Sequence, residues 1–331
     1  MSAITIRRAT RDDRAAILDL AIALQAAEHE MHPSRRPGPA LDPRAYDELD
    51  RRTSGDDGAI LLAETDGSIA GYIAFYADLN DSVELRASAH RFLYVSDISV
   101  APAMRGRGIA GFLLAEADDW CLRLGLPRIE MGVLAANAPA LTAYKKAGYV
   151  LYEHWLDKHI AASPIPVPTI AGLDLRPMQP ADRALMLRFM RDLADDEAEM
   201  HWAMRPGSEI TLNEVERSIR EIAAEEGAIL IAELDGQPVG YGAAVCQIAS
   251  DEHELREDWF HRGMVTDLYV APEGRRRGIG LALLGALERS IAPRGLDWLQ
   301  IVVSPDNAAA LALYKKAGFG AYELVLEKRL G

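Results

Sequence analysis

Apolar and polar positions follow one order along this chain, and the order is run through twice. Residues 3–8 alternate as a half-buried strand does. Residues 12–30 carry Ile17, Leu20, Ile22 and Leu24, which predicts a helix. Residues 59–63 and 69–77 read as strands joined by Asp66-Gly67, a dipeptide suited to a tight hairpin turn. Residues 92–100 form the next strand, followed by a loop of Gly and Arg. An amphipathic helix over 109–124 ends at Gly125, which fits a C-cap. Residues 129–134 predict a strand, 138–146 a helix stopped by Gly148, and 149–158 a last strand. That succession predicts an α/β fold with a mixed, twisted sheet flanked by helices.

The second pass matches the first residue by residue. Val100-Ala101-Pro102 returns as Val270-Ala271-Pro272, and Tyr144-Lys145-Lys146-Ala147-Gly148 as Tyr314-Lys315-Lys316-Ala317-Gly318, both at an offset of 170. Upstream the offset is 169, since Met31-His32 matches Met200-His201 and Gly71 matches Gly240. One residue is therefore gained between Tyr241 and Glu254. A period this long is a duplicated domain, not a solenoid unit. The expected organisation is a domain over 1–161, a linker over 162–169 in which Pro164, Pro166 and Pro168 alternate, and a domain over 170–331. Such a linker is expected to act as a semi-rigid spacer. A fused duplication also suggests a pseudo-dimer with two-fold symmetry within the chain.

Composition narrows the function. The chain has 331 residues, 49% of them hydrophobic and 26% charged, as in a soluble globular protein. No apolar run approaches the roughly 18 residues that span a bilayer. The charged N-terminus does not resemble a secretory signal, so a cytoplasmic location is expected. A formal net charge of −14 disfavours binding nucleic acid through its phosphates and suits a cationic acceptor. Cys121 and Cys246 lack the spacing of a disulfide framework or a zinc site, and no metal is expected.

The Gly/Arg loop carries the chemistry. Residues 100–110 and their twin 270–280 each join a strand to a helix. A helix N-terminus offers free N–H groups and a partial positive charge to an anion. Gly106, Gly108 and Gly278 permit backbone geometries and close approaches that a side chain would hinder. Arg105, Arg107, Arg275, Arg276 and Arg277 add charge at the mouth.

These residues resemble the GCN5-related N-acetyltransferase superfamily. Arg105, Gly108 and Ala110, and again Arg275, Gly278 and Gly280, fit its R/Q-x-x-G-x-G/A loop. Asn137, Ala140, Tyr144, Lys146 and Gly148 fit its later N-x-x-A-x-x-x-Y-x-K-x-G element, as do Asn307, Ala310, Tyr314, Lys316 and Gly318. The resemblance covers nearly the whole chain as two tandem domains. It implies an acyl-CoA-dependent N-acyltransferase that moves an acetyl group directly from acetyl-CoA to an amine, with one or both domains catalytic. A non-catalytic acyl-CoA sensor, or one catalytic and one structural copy, is the competing reading.

The resemblance further implies that acetyl-CoA sits between two splayed parallel strands. Backbone groups near Ile98 and Val100, and near Leu268 and Val270, would hold the pantetheine arm. Ile109, Ala110, Ile279 and Gly280 open the helices that face the pyrophosphate, with Asn137 and Asn307 beside the cofactor or capping the next helix. Tyr144 and Tyr314 occupy the place of the acid that protonates the leaving thiolate. No general base stands out. Strand alternation turns Tyr94, Ser96, Met264 and Thr266 toward the site, and Asp97 and Asp267 away from it unless a bulge re-aims them. Glu130, with Gln300 as its counterpart, lies on the neighbouring strand. Glu30, His32, Glu199 and His201 are placed on the acceptor side, and Glu84-Leu85-Arg86 and Glu254-Leu255-Arg256 either shape that side or cap a loop. The acceptor itself stays open, with a small-molecule amine favoured over a protein.

Overall fold

The computed structural model describes residues 3–42, 44–161, 164–248, 254–259 and 261–330. In chain order the first repeat contributes β1 (Thr5–Arg8), α1 (Arg14–Met31), α2 (Arg44–Thr53), β2 (Gly58–Thr65), β3 (Ser68–Leu79), β4 (Arg91–Val100), α3 (Ile109–Arg123), β5 (Arg128–Leu134), α4 (Ala138–Lys146) and β6 (Val150–His159). The second contributes β7 (Leu173–Pro177), α5 (Arg183–Met200), α6 (Leu212–Ala224), β8 (Ala228–Leu234), β9 (Gln237–Ile248), β10 (His261–Val270), α7 (Ile279–Ile291), β11 (Trp298–Val303), α8 (Ala308–Lys316) and β12 (Gly320–Arg329). The sequence pattern anticipates all of these except α2 and α6. α2 is short and strongly charged; Tyr46 and Leu49 are its apolar contribution to the core against Ile60, Leu62 and Tyr72. Too few apolar positions are available there to set a helical period. β3 and β9 match at the 169 offset, so the inserted residue falls within 249–253, outside the described residues.

The twelve strands form one continuous sheet in the order β1-β2-β3-β4-β5-β12-β6-β11-β10-β9-β8-β7. The last strand of each repeat has crossed over. β12 pairs antiparallel with β5 of the first repeat, from Glu323↔Leu134 to Arg329↔Arg128. β6 pairs antiparallel with β11 of the second, from Trp298↔His159 to Val303↔His154. The two exchanged strands then lie side by side, antiparallel, at the centre. Each repeat's sheet is thereby completed by the other's chain.

The linker, expected as a semi-rigid spacer, is docked on α7. Ile165 is buried and its N–H donates to the Glu288 carboxylate on α7 at 2.8 Å. A side chain at Gly285 would collide with Val167 and the Ile165 carbonyl, so glycine there makes room for the linker. Glu288 also meets Lys158 of β6 at 2.5 Å, with both side chains almost fully buried. Residues 162 and 163 lie outside the described residues. α7 is buried on nearly all sides, whereas its counterpart α3 leaves Phe112 and Leu122 exposed.

Candidate active site

The central strands part where a cofactor arm would enter. β4 and β5 are parallel and pair only at Leu93↔Ile129, Tyr94↔Glu130 and Val95↔Met131, although β4 runs on to Val100 and β5 to Leu134. β10 and β11 do the same, pairing from Arg262↔Trp298 to Val265↔Ile301 and then separating. Beyond the fork, Ile98 and Val100, and Leu268 and Val270, pair on one side only, with β3 or β9. Their other edge is open to the cleft.

The loops after β4 and β10 lead into α3 and α7 through left-handed glycines. Gly108 and Gly278 adopt φ of 80° and 88° as they open α3 and α7. A Cβ at Gly108 would meet nothing, so its conformation, not crowding, requires glycine. Among the described residues, no backbone hydrogen bond uses the N–H groups of 106–110 or 276–280. Five successive free amides at a helix start make a nest for a phosphate. The arginines divide by role. Arg105 and Arg275 turn back to the carbonyls of Val100 and Val270 at 3.2 and 2.9 Å, bracing the loop. Arg275 also reaches Asp196 at 2.6 Å. Arg107, Arg276 and Arg277 remain exposed beside the amides, with Arg276 at φ 61° where the first copy has Gly106 at 78°. Gly280 serves packing, since a Cβ there would press on Leu313 of α8 at 3.0 Å.

Behind the first fork lies a cavity of about 320 Å³. Tyr94, Asp97, Asn137 and Tyr144 contribute to it from the first repeat, with Gln25 and Glu28 from α1. Glu254, Leu255, Tyr322 and Glu323 close it from the second. Asn137 caps α4 through the Ala140 N–H at 3.2 Å, and Asn307 caps α8 through Ala310 at 3.0 Å. The Tyr144 and Tyr314 hydroxyls accept or donate no hydrogen bond among the described residues, and burial raises both phenols above their usual pKa. Each stays a neutral O–H, available as a proton donor.

A bulge re-aims the carboxylate that simple alternation turns away from the cleft. β3 pairs Phe75 with Val95 but Ala74 with Asp97, so Ser96 is the extra residue and the alternation slips by one. β10 repeats the slip between Val265 and Asp267. Asp97 therefore lines the cavity, where the Tyr72 hydroxyl lies 3.4 Å away. Tyr241 donates to Asp267 at 2.7 Å. Burial first, then the charges of Glu254 and Glu28, push the Asp97 carboxyl up to about 7. Burial likewise raises Asp267.

The other acceptor-side residues fall elsewhere. Glu30 and Glu199 are exposed, and the α1 carboxylate in the cavity is Glu28, two residues earlier. His32 sits in the seam between repeats, 3.3 Å from Asp157 and packed on Trp259 and Tyr322. His201 bonds Glu327 at 2.9 Å and stacks over Tyr152. Glu130 is held by Arg128 at 2.6 Å. The helical period puts Glu28 and Glu30 on different faces; only the docking of α1 tells which face meets the cleft.

Comparison with known proteins settles the family. The model of the acetyltransferase (GNAT) family matches residues 23–149 and again 187–319. The chain belongs to this family. It is an acyl-CoA-dependent N-acetyltransferase by that membership, and the family uses acetyl-CoA as its donor. The chain is 29% identical over 281 residues to a mycothiol acetyltransferase of Amycolatopsis mediterranei, covering 81% of this chain and 83% of that one. It is 26% identical to the mycothiol acetyltransferase of Thermobispora bispora, covering 81% and 82%. The fold matches a GCN5-related N-acetyltransferase from Sphaerobacter thermophilus with a TM-score of 0.59 and 20% identity, covering 99% and 96%. A tandem GNAT protein from the clavulanic acid biosynthesis pathway matches at 0.51 and 15% identity, covering 99% of each chain. Among the described residues, no helix is long and apolar enough to cross a membrane.

Proposed function

We propose that this acetyltransferase moves an acetyl group from acetyl-CoA directly to a small-molecule primary amine, and that both clefts are competent. The observation carrying the proposal is the fork of β4 from β5 onto a cavity walled by both Asp97 and Tyr144. The acceptor ammonium, with a pKa of about 10.4, needs about 4–5 kcal/mol to lose its proton at pH 7. Asp97, shifted to about 7, is matched to receive that proton, directly or through one water. The freed amine attacks the thioester carbonyl while amides along the open edge of β4 stabilise the developing negative charge. The C–S bond then breaks and Tyr144 protonates the departing thiolate. Asp267 and Tyr314 take these roles in the second cleft. The free amides at 106–110 and 276–280 would hold the pyrophosphate, with Arg107, Arg276 and Arg277 at its flank.

Relatives named for acetylating mycothiol support a small-molecule acceptor. The test has two parts. Calorimetric titration with acetyl-CoA should give two sites per chain, and CoA release should rise with at least one member of an amine panel. No binding at any practical concentration would overturn the proposal.

A further inference from the structure

The carboxylates of the first acceptor cavity have acidic counterparts in the second half, but the cation that serves them does not. In the seam, Arg35 bridges backbone-to-backbone with Leu255, and Met204 does so with Leu85. The flanking bonds agree: the Arg36 N–H donates to Glu254 O at 2.9 Å and the Arg205 N–H to Glu84 O at 2.8 Å. The Arg256 N–H donates to Ser34 O and the Arg86 N–H to Ala203 O. Met204 therefore stands at the two-fold equivalent of Arg35.

Arg35 points into the first cavity and is the counter-ion of its carboxylates. It lies 3.4 Å from Glu28, 3.3 Å from Glu254 and 3.6 Å from Glu323, with its side chain 13% exposed. The equivalents of those carboxylates and of Asp97 in the other half are Glu197, Glu84, Glu153 and Asp267. These four are acidic without a counterpart of Arg35. Among the described residues, no Lys or Arg pairs with any of them, and the Glu197 side chain forms no hydrogen bond. Met204 instead joins Leu85 and Ala203 in an apolar cluster. His201, which could carry positive charge, is engaged by Glu327 at 2.9 Å.

Resting on the acetyl-transfer reading above, we infer that the second pocket takes an amine bearing a further ammonium group, a linear diamine or polyamine. Arg35 occupies the place of that second charge in the first pocket and restricts it to singly charged amines. One ammonium is deprotonated and acetylated at the Asp267–Tyr314 end, and the other stays charged among Glu84, Glu153 and Glu197. Burial first pushes Glu153 up to about 7 and Glu197 up to about 8, with added repulsion from Glu130 at the former and from Glu84 and Asp267 at the latter.

The test is calorimetric titration of the full chain, saturated with CoA, using 1,4-diaminobutane and 1-aminobutane. Binding is read without turnover. The wild-type chain should bind the diamine at one site at least about tenfold more tightly than the monoamine. Met204→Arg should remove that preference, Met204→Leu should keep it, and Arg35→Met should add a second diamine site. Equal affinity for the two amines, or an unchanged preference in Met204→Arg with its melting curve intact, overturns the inference. Diamine binding that follows this pattern without any CoA release from acetyl-CoA would instead count against the transfer reading alone.

Discussion

Lys158, on the last strand of the first repeat, meets Glu288, on a helix of the second, at 2.5 Å inside the protein. Glu288 uses its other oxygen to fix the Ile165 N–H, so one carboxylate anchors both the exchanged strand and the linker. Removing one partner of a buried pair leaves an uncompensated charge, at about 3–5 kcal/mol. Glu288→Ala should lower the stability of the whole chain by roughly that amount in urea unfolding. A change within ~0.5 kcal/mol would show that Lys158 is compensated without Glu288.

The strand exchange predicts how the halves behave apart. Residues 1–161 expressed alone still need a strand against β5, a place that β12 fills in the full chain. They should form homodimers in which β6 crosses to the other copy. Light scattering after size-exclusion chromatography reads the mass directly; a stable monomer would mean that β6 folds back onto its own β5.

The acid role of the tyrosines can be assigned half by half. Tyr144→Phe and Tyr314→Phe should each silence one cleft, and the double variant should lose about 10²–10⁴-fold in kcat. Acetyl-CoA affinity should stay unchanged in all three. Full turnover in the double variant would remove both phenols from the mechanism.

Asp97 sets a pH dependence. Its carboxyl is raised, so it is protonated and idle as a base below about 7 and ionised above it. In a Tyr314→Phe background, kcat should climb through pH 7 and level off. Asp97→Asn should erase that limb together with most of the rate. A limb that survives the substitution would belong to another group.

The cradle makes a further prediction. Gly108→Ala places a side chain in the left-handed region, at a cost of about 1–2 kcal/mol. The effect should appear as a raised KM for acetyl-CoA with little change in kcat at saturation. An unchanged KM would mean that the loop relaxes without losing its free amides.

Much of this protein was legible in its sequence because the features concerned are local. The Gly/Arg loop, Asn137 and Tyr144 lie within one strand–helix or turn–helix unit, and their spacing already fixes their geometry. The repeat itself dictated that whatever one half builds, the other builds again. What the tertiary structure decided depends on contacts distant in sequence. β6 and β12 carry matching patterns, and either could complete either sheet; only packing chose the exchange. The bulges at Ser96 and Thr266 reverse which face Asp97 and Asp267 present, because a period of two is lost with one extra residue. Nothing local in the sequence marks Arg35; only the tertiary structure brings the second repeat's Glu254 and Glu323 against it. A charge acquires its role from its neighbours, and here those neighbours arrive from the other half of the chain.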